Sequence, residues 1–455
     1  MLLKIRRLIA LVATLAIVIA VSGCAESSRE QATGKGVVRG INSVMTSPDI
    51  SFLIEERGIG SVGFKETTGF NSYDDLSYNF NFDLLRPGVI EADRLTTQFI
   101  DVLADHEYTV VLTGTIANPS SFFWEDPSRE WEGTETVFEI FFAHLAPSMG
   151  ELDVYFAAPG TVPVLGQAVG SLTNGARLPV LEFAEMSYEL ILTPKDDPAT
   201  IVYQSVALAT VAATRVTIAV FDADPTVPGN VAVNLFDPNG TSSVLPDINF
   251  PPQIRLLHAA FGTESVDGYF NSDFTSIIYP DIAFQELSAY ADVFAAVTVL
   301  TLTPVGNSGA TIHEGDAVAA AGSIRTIVLA GVPGDLLFLT MVNNARPFET
   351  FPALRILNAS LNLNGVDIYM LDPGTPIDDD ATPTIVGFPS LANTGFTATR
   401  SGMRELTLTM VGQKTPVAAP VILDLVNGDN VDLVILDTVD PAILELLVFD
   451  SQAAP

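Results

Sequence analysis

Asn42, His144, His258 and Asn358 fall at one recurring place in the 455-residue chain, 102, 114 and 100 residues apart. In the last three copies an Asp follows nine residues later (Asp153, Asp267, Asp367), and a Tyr two further on (Tyr155, Tyr269, Tyr369). In the first copy Asp49 comes two residues early and Phe52 stands near the aromatic place. Imidazole and carboxylate are the groups of metal ligation and of proton transfer. If the recurrence marks chemistry, three sites should follow. If it marks a fold, the chain is an array of modules.

The remaining residues do not complete a reactive constellation. The four histidines are His106, His144, His258 and His313; no two stand at metal-ligand spacing, and no H-E-x-x-H occurs. His144 and His258 each close a strand before a turn rich in Ser, Pro, Gly or Asn, where a side chain can bond turn backbone. They are read as turn caps. The Asp of the following strand is read as structural, facing solvent or a turn, with a cost within about 2 kcal/mol on replacement by Asn. Val and Tyr of that strand are expected on one sheet face and Asp on the other. Asp105-His106-Glu107 is acidic, but neighbours on a strand face opposite sides. Neither G-x-S-x-G nor a G-K-[ST] phosphate loop is present, so no catalytic residue is assigned.

Three weaker signals remain. Gly58-Ile-Gly60-Ser-Val-Gly63 fits G-x-G-x-x-G, but no helical face follows to meet a pyrophosphate, so it is read as a glycine-rich hairpin turn. Asp196-Asp197, Asp222-x-Asp224 and Asp378-Asp379-Asp380 are dense in the oxygen ligands that Ca²⁺ prefers. None has the spacing of a recognised calcium loop, and solvated acidic turns are the plainer reading; no other cofactor is expected. The two tryptophans, Trp124 and Trp131, sit in SSFFWEDPSREWEG, with no matching aromatic cluster in the other copies. They either pack the junction between the first two repeats or form a platform for a partner, since an indole stacks on sugars and anchors interfaces.

The elements around these residues are strands. Hydrophobic residues make up 48% against 16% charged, with 33 Gly and 29 Pro scattered between apolar runs, as in short strands joined by turns. Each copy has a middle strand (from Tyr78, Tyr188, Val297 and Leu406) and closes with a hairpin-like pair. The expected fold is all-β: four tandem immunoglobulin-like sandwiches, at 37–135, 136–251, 252–351 and 352–455. Pro251-Pro252 and Pro352 mark joins, and 352–455 is expected to fold alone.

Ahead of the repeats, Lys4, Arg6 and Arg7 precede the apolar run Leu8 to Val21, the layout of a secretory signal over 1–23. It ends in Val21-Ser22-Gly23-Cys24, which resembles the bacterial lipobox, so Cys24 is the expected lipidation site and 24–36 a flexible stalk. Cys24 is the chain's one cysteine, which excludes disulfides and cysteine catalysis. Ala25 in place of Asp points, by resemblance to the Gram-negative sorting rule, to the outer membrane. Loss of the signal leaves 18 basic residues against 54 acidic ones, a formal charge of −36, which repels nucleic acid.

Arg355-Ile-Leu-Asn358-Ala-Ser360 with Val366-Asp367-Ile-Tyr369, and Arg255-Leu-Leu-His258-Ala-Ala with Val266-Asp267-Gly-Tyr269, resemble the bacterial domain-of-unknown-function family 4397. The resemblance covers repeats 2 to 4 and implies tandem β-domains on secreted or lipid-anchored surface proteins, with no catalytic residues. The expected protein is therefore a non-catalytic, lipid-anchored envelope module, a stiff rod whose loops meet a glycan, a matrix or an envelope protein. The rival is an envelope hydrolase or small-ligand carrier with a site formed between domains.

Overall fold

The computed structural model describes residues 32–223, 229–294, 298–343 and 346–451, and every regular element among them is a β-strand. The signal, Cys24 and Asp224 lie outside the described residues. The strands form eight sheets, which face each other in pairs around four apolar cores.

The fourth pair displays the plan. One sheet runs Thr397–Ala398, Ala353–Asn358, Asn430–Asp437, Leu444–Asp450; the other runs Ile385–Phe388, Val366–Leu371, Gly402–Met410, Val421–Leu425. The third pair has the same order. The expected hairpins are present, but the opening strand lies parallel to the penultimate one, with Arg355 opposite Asp432. The same parallel pairing sets Arg255 opposite Thr326, Arg39 opposite Thr109 and Phe141 opposite Thr217. Alternation in a sequence reports which face a residue takes, not the partner strand, so this crossing was illegible.

A two-residue period also sorts the repeated motif. Val366 and Ile368 enter the fourth core, whereas Asp367 shares the opposite face with Tyr369. The expected grouping of Val with Tyr is thus corrected, since residues three apart on a strand face opposite ways. Gly58, Gly60 and Gly63 likewise differ from expectation. Gly58 and Gly60 lie within strand Arg57–Val62, paired with Ile50–Ile54, and Gly63 follows it; the turn itself is at Glu55, whose φ is 49°.

Sheets carrying the opening strands are buried on both faces. In the first two units, Ile41 and Val111 pack across the junction on Leu145, Phe221 and Phe236. In the last two, Leu257, Val328 and Met341 pack on Leu357, Val434 and Leu436. Strand Ala353–Asn358 accordingly has no exposed residue. The units therefore stand face to face in two couples. Between couples, Arg346 Nη1 donates to the carbonyls of Met45 (2.6 Å) and Ser47 (2.5 Å). The Glu349 carboxylate accepts from the Ile116 N–H at 3.3 Å. The segment joining the third and fourth cores is thus pinned to the first unit. That corrects the expected rod, in which these segments would be separated by the intervening units.

Candidate functional site

The repeated His or Asn holds its own turn in all four copies. His144 Nδ1 accepts the Ala146 N–H at 3.1 Å while Nε2 bonds the Gly150 carbonyl at 3.0 Å. His258 does the same with Ala260 (3.3 Å) and Glu264 (3.1 Å). Asn42 Oδ1 accepts from Val44 N–H, and Asn358 Oδ1 from Ser360 N–H. The acceptor lies two residues behind the donor each time, so a single turn geometry selects either residue type. Neither imidazole is exposed.

Burial lowers the pKa of His144 and of His258, because the imidazolium would lose its hydration. The folded value lies below the unfolded one of about 6.5. Stability is therefore complete above that pH and is lost as pH falls below it, where the unfolded chain binds the proton first. A double variant, His144→Asn with His258→Asn, uses the residue found in the other two copies. It is expected to keep its stability at pH 7.5 within about 1 kcal/mol. Between pH 7.5 and 5 it should lose less than the wild type in denaturant titrations. Equal losses would rule out these two groups as the acid-sensitive ones.

Asp153, Asp267 and Asp367 are almost fully buried rather than facing solvent. Asp367 receives the N–H of Gly387 (2.7 Å) on one oxygen and of Gly412 (2.8 Å) on the other. Asp267 receives Asp281 N–H (2.9 Å) and Gly306 N–H (2.8 Å). Asp153 receives the Ser171 hydroxyl and the Asp196 N–H. Gly387, Gly412, Asp281, Gly306 and Asp196 all have positive φ; each carboxylate ties the tight turn that holds Asp196, Gly306 or Gly412 to the neighbouring edge strand that holds Ser171, Asp281 or Gly387. An amide in its place accepts with one atom and points a donor at the other N–H. Asp367→Asn is thus expected to cost about 2–4 kcal/mol, above the sequence expectation. A guanidinium midpoint unchanged by the substitution would refute the anchor.

Other acidic candidates serve local turns. Asp222 Oδ1 accepts from the Ser148 N–H and hydroxyl. Asp378 Oδ1 accepts from the N–H of Asp380 and of Ala381, while Asp379 and Asp380 are exposed. Among the described residues no three His, Cys, Asp or Glu side chains gather where a metal ion could be held.

The tryptophans divide. Trp124, on strand Pro119–Pro127, packs against the cluster between the first two units, edge-on to Phe122 at 5.4 Å and beneath Arg177. Trp131 lies half-buried in the connection to the second unit, with the Arg129 guanidinium 4.0 Å from its ring centre. Arg129 is in turn held by Glu135, Glu139 and Glu182.

What sequence reading missed is a set of buried arginines. Arg39, Arg255 and Arg355 stand three residues before the repeated His or Asn. Arg39 crosses the first junction to Thr217 Oγ1 at 2.8 Å, and burial lowers its pKa to about 10, so it stays charged at pH 7. In the second unit Phe141 takes that place, and Arg177 lies over it at 3.9 Å while bonding Asp126 of the first. Arg215 joins Glu139 to Glu107, one of the two acids of the 105–107 cluster. Arg355 Nε and Nη2 meet both oxygens of Asp432 at 2.6 and 2.8 Å, and Nη1 donates to the Val342 carbonyl of the third unit. Arg255 Nε has Thr326 Oγ1 at 2.9 Å, but among the described residues its Nη1 and Nη2 have no acceptor. The available signal was an Arg inside an otherwise apolar strand such as LRILN, which suits a strand buried on both faces.

These sites define an all-β sandwich protein whose recurrent polar residues stitch turns and join sheets. Residues 252–369, the third unit and the opening strands of the fourth, match the family described as Domain of unknown function (DUF4397). No curated protein matches the chain.

Proposed function

We propose that this chain is a non-catalytic protein, lipid-anchored through Cys24 to the outer membrane of a bacterial envelope, which serves as a surface binding, adhesion or spacer module. One observation carries the absence of catalysis from this reading. His144, His258, Asp153, Asp267 and Asp367 are all engaged in holding turns, which leaves no recurrent acid–base pair facing solvent. The anchor rests on the charged start, apolar run and lone Cys of the sequence. Several acyl chains on that one residue give stable retention, since each buried methylene contributes about 0.8 kcal/mol.

Partners in this reading are a glycan, a matrix or an envelope protein, and not nucleic acid. Trp131 is the better contact of the two tryptophans, because Trp124 packs against the junction cluster while Arg129 holds the half-buried Trp131 ring in place. The test is envelope fractionation of wild type and Cys24→Ser, followed by capture of envelope components on the immobilised wild-type chain. Cys24→Ser should leave the membrane fraction, and Trp131→Ala should weaken capture. Unchanged membrane retention of Cys24→Ser overturns the anchor; a wild-type chain that retains no envelope component overturns the binding role.

A further inference from the structure

The second unit differs from its neighbours at one edge. In the first unit the last strand of the outer sheet, Asp93–Asp101, is continuous and pairs along the whole of Ser77–Leu84. In the fourth, Val421–Leu425 pairs residue by residue with Gly402–Leu406. In the second unit that strand is broken into Tyr203–Gln204 and Leu208–Ala209, each held by two pairs to Ser187–Pro194. Between them Ser205 stays tied to Leu190, donating its N–H to the Leu190 carbonyl at 2.9 Å and accepting the Leu190 N–H on Oγ at 3.0 Å, while its backbone also bridges Asp247. Beyond them, residues 210–214 return to the inner sheet through Ala213, whose φ of 56° is one that Gly322 and Gly428 supply in the third and fourth units. Where a full strand would close the sandwich, a cavity of about 270 Å³ remains.

Phe138 and Phe156 line this cavity from the core, Val216 and Leu235 from the inner sheet, and Leu208 and Val211 from the broken strand and turn. Among the described residues its lining contains neither Lys nor Arg. The hydroxyls that border it are engaged: Thr210 donates to the Met186 carbonyl and Thr214 to that of Val211. One carboxylate, Asp237, stands among the lining residues, accepting from the N–H groups of Asn239 and Thr241. An enclosed apolar cavity of ~150 Å³ takes benzene. By proportion this one holds a body of roughly ten non-hydrogen atoms.

We infer that the broken edge of the second unit is a binding site for one small, uncharged apolar molecule, an alkyl chain or a single substituted aromatic ring. An anionic head is disfavoured, because no cation lines the site and Asp237 borders it. The site goes beyond the envelope role proposed above and is independent of it.

The test uses the full chain in lipid nanodiscs with ¹³C-labelled Leu and Val methyls, titrated with ethylbenzene, 1-octanol and octanoate. The two neutral probes should give saturable shifts at Leu208, Val211, Val216 and Leu235, and each should displace the other. Octanoate should bind at least tenfold more weakly. Val216→Phe fills the space and should abolish the shifts; if it fails to fold, Leu235→Phe blocks the cavity from the neighbouring strand. Comparing each variant with wild type in the same nanodiscs cancels partition into lipid. Absence of a saturable shift with both neutral probes overturns the inference, as do shifts confined to other methyls or persisting in a folded blocked variant. Octanoate binding as tightly as 1-octanol overturns the charge rule.

Discussion

Asp432→Asn is expected to destabilise the protein by about 3–5 kcal/mol, because it strands the Arg355 guanidinium inside a sheet-to-sheet junction. Both side chains are essentially inaccessible, and the pair is bidentate. Asp432 Oδ2 also accepts the Ser451 hydroxyl, and Arg355 reaches on to Val342 O and Asn343 Oδ1 of the third unit. Removing the carboxylate leaves a buried cation with neutral acceptors alone, which is far costlier than losing a surface ion pair. The third unit supplies an internal control. Arg255 has the same place there but faces Thr326, and its two terminal nitrogens lack acceptors among the described residues. Thr326→Asp should therefore stabilise, by about 1–3 kcal/mol, as a charged acceptor replaces a neutral one. Guanidinium unfolding of the full chain measures both. A loss under 1 kcal/mol for Asp432→Asn, or a matching loss for Thr326→Asp, would show that this junction tolerates unpaired charge.

The fourth repeat by itself, residues 352–455, is expected to be unfolded or self-associated, whereas 252–455 should fold as a monomer. Cutting between the repeats uncovers Leu357, Val434 and Leu436, which pack on the third unit, together with Arg355. At about 1.5–3 kcal/mol for each large side chain, exposure costs on the order of 5 kcal/mol or more. That rivals the whole stability of a small domain, about 5–15 kcal/mol. It reverses the expectation that this repeat folds alone. Sedimentation and thermal circular dichroism on the two fragments decide the matter. A monomeric 352–455 with a cooperative transition would mean that the face between the third and fourth units contributes little.

Much of the local architecture was legible. Period-two alternation, turn residues and recurrence at about 100 residues specify all-β sandwiches, because a strand's two faces and its ends are decided by near neighbours. The turn-capping role of His144 and His258 followed from the same locality: donor and acceptor lie two residues apart. The Asp anchors were half legible. Their place on a strand was evident, but the N–H groups they bind come from an edge strand and a turn 14 to 45 residues away, so burial was not.

Tertiary structure alone decided how the units meet. The parallel pairing of Arg355 with Asp432 spans 77 residues, and the bond from Arg346 to Met45 spans 301. No local pattern encodes such distances, because a contact between distant segments depends on the shape of both completed surfaces. A strand buried on two faces differs from one buried on one face only by the replacement of its polar positions. LRILN shows that replacement, yet its arginine is explicable only once Asp432 and the third unit stand beside it. Composition thus specified strands and turns, while the fit of one sheet against the next decided that four sandwiches stand as two couples joined through buried arginines.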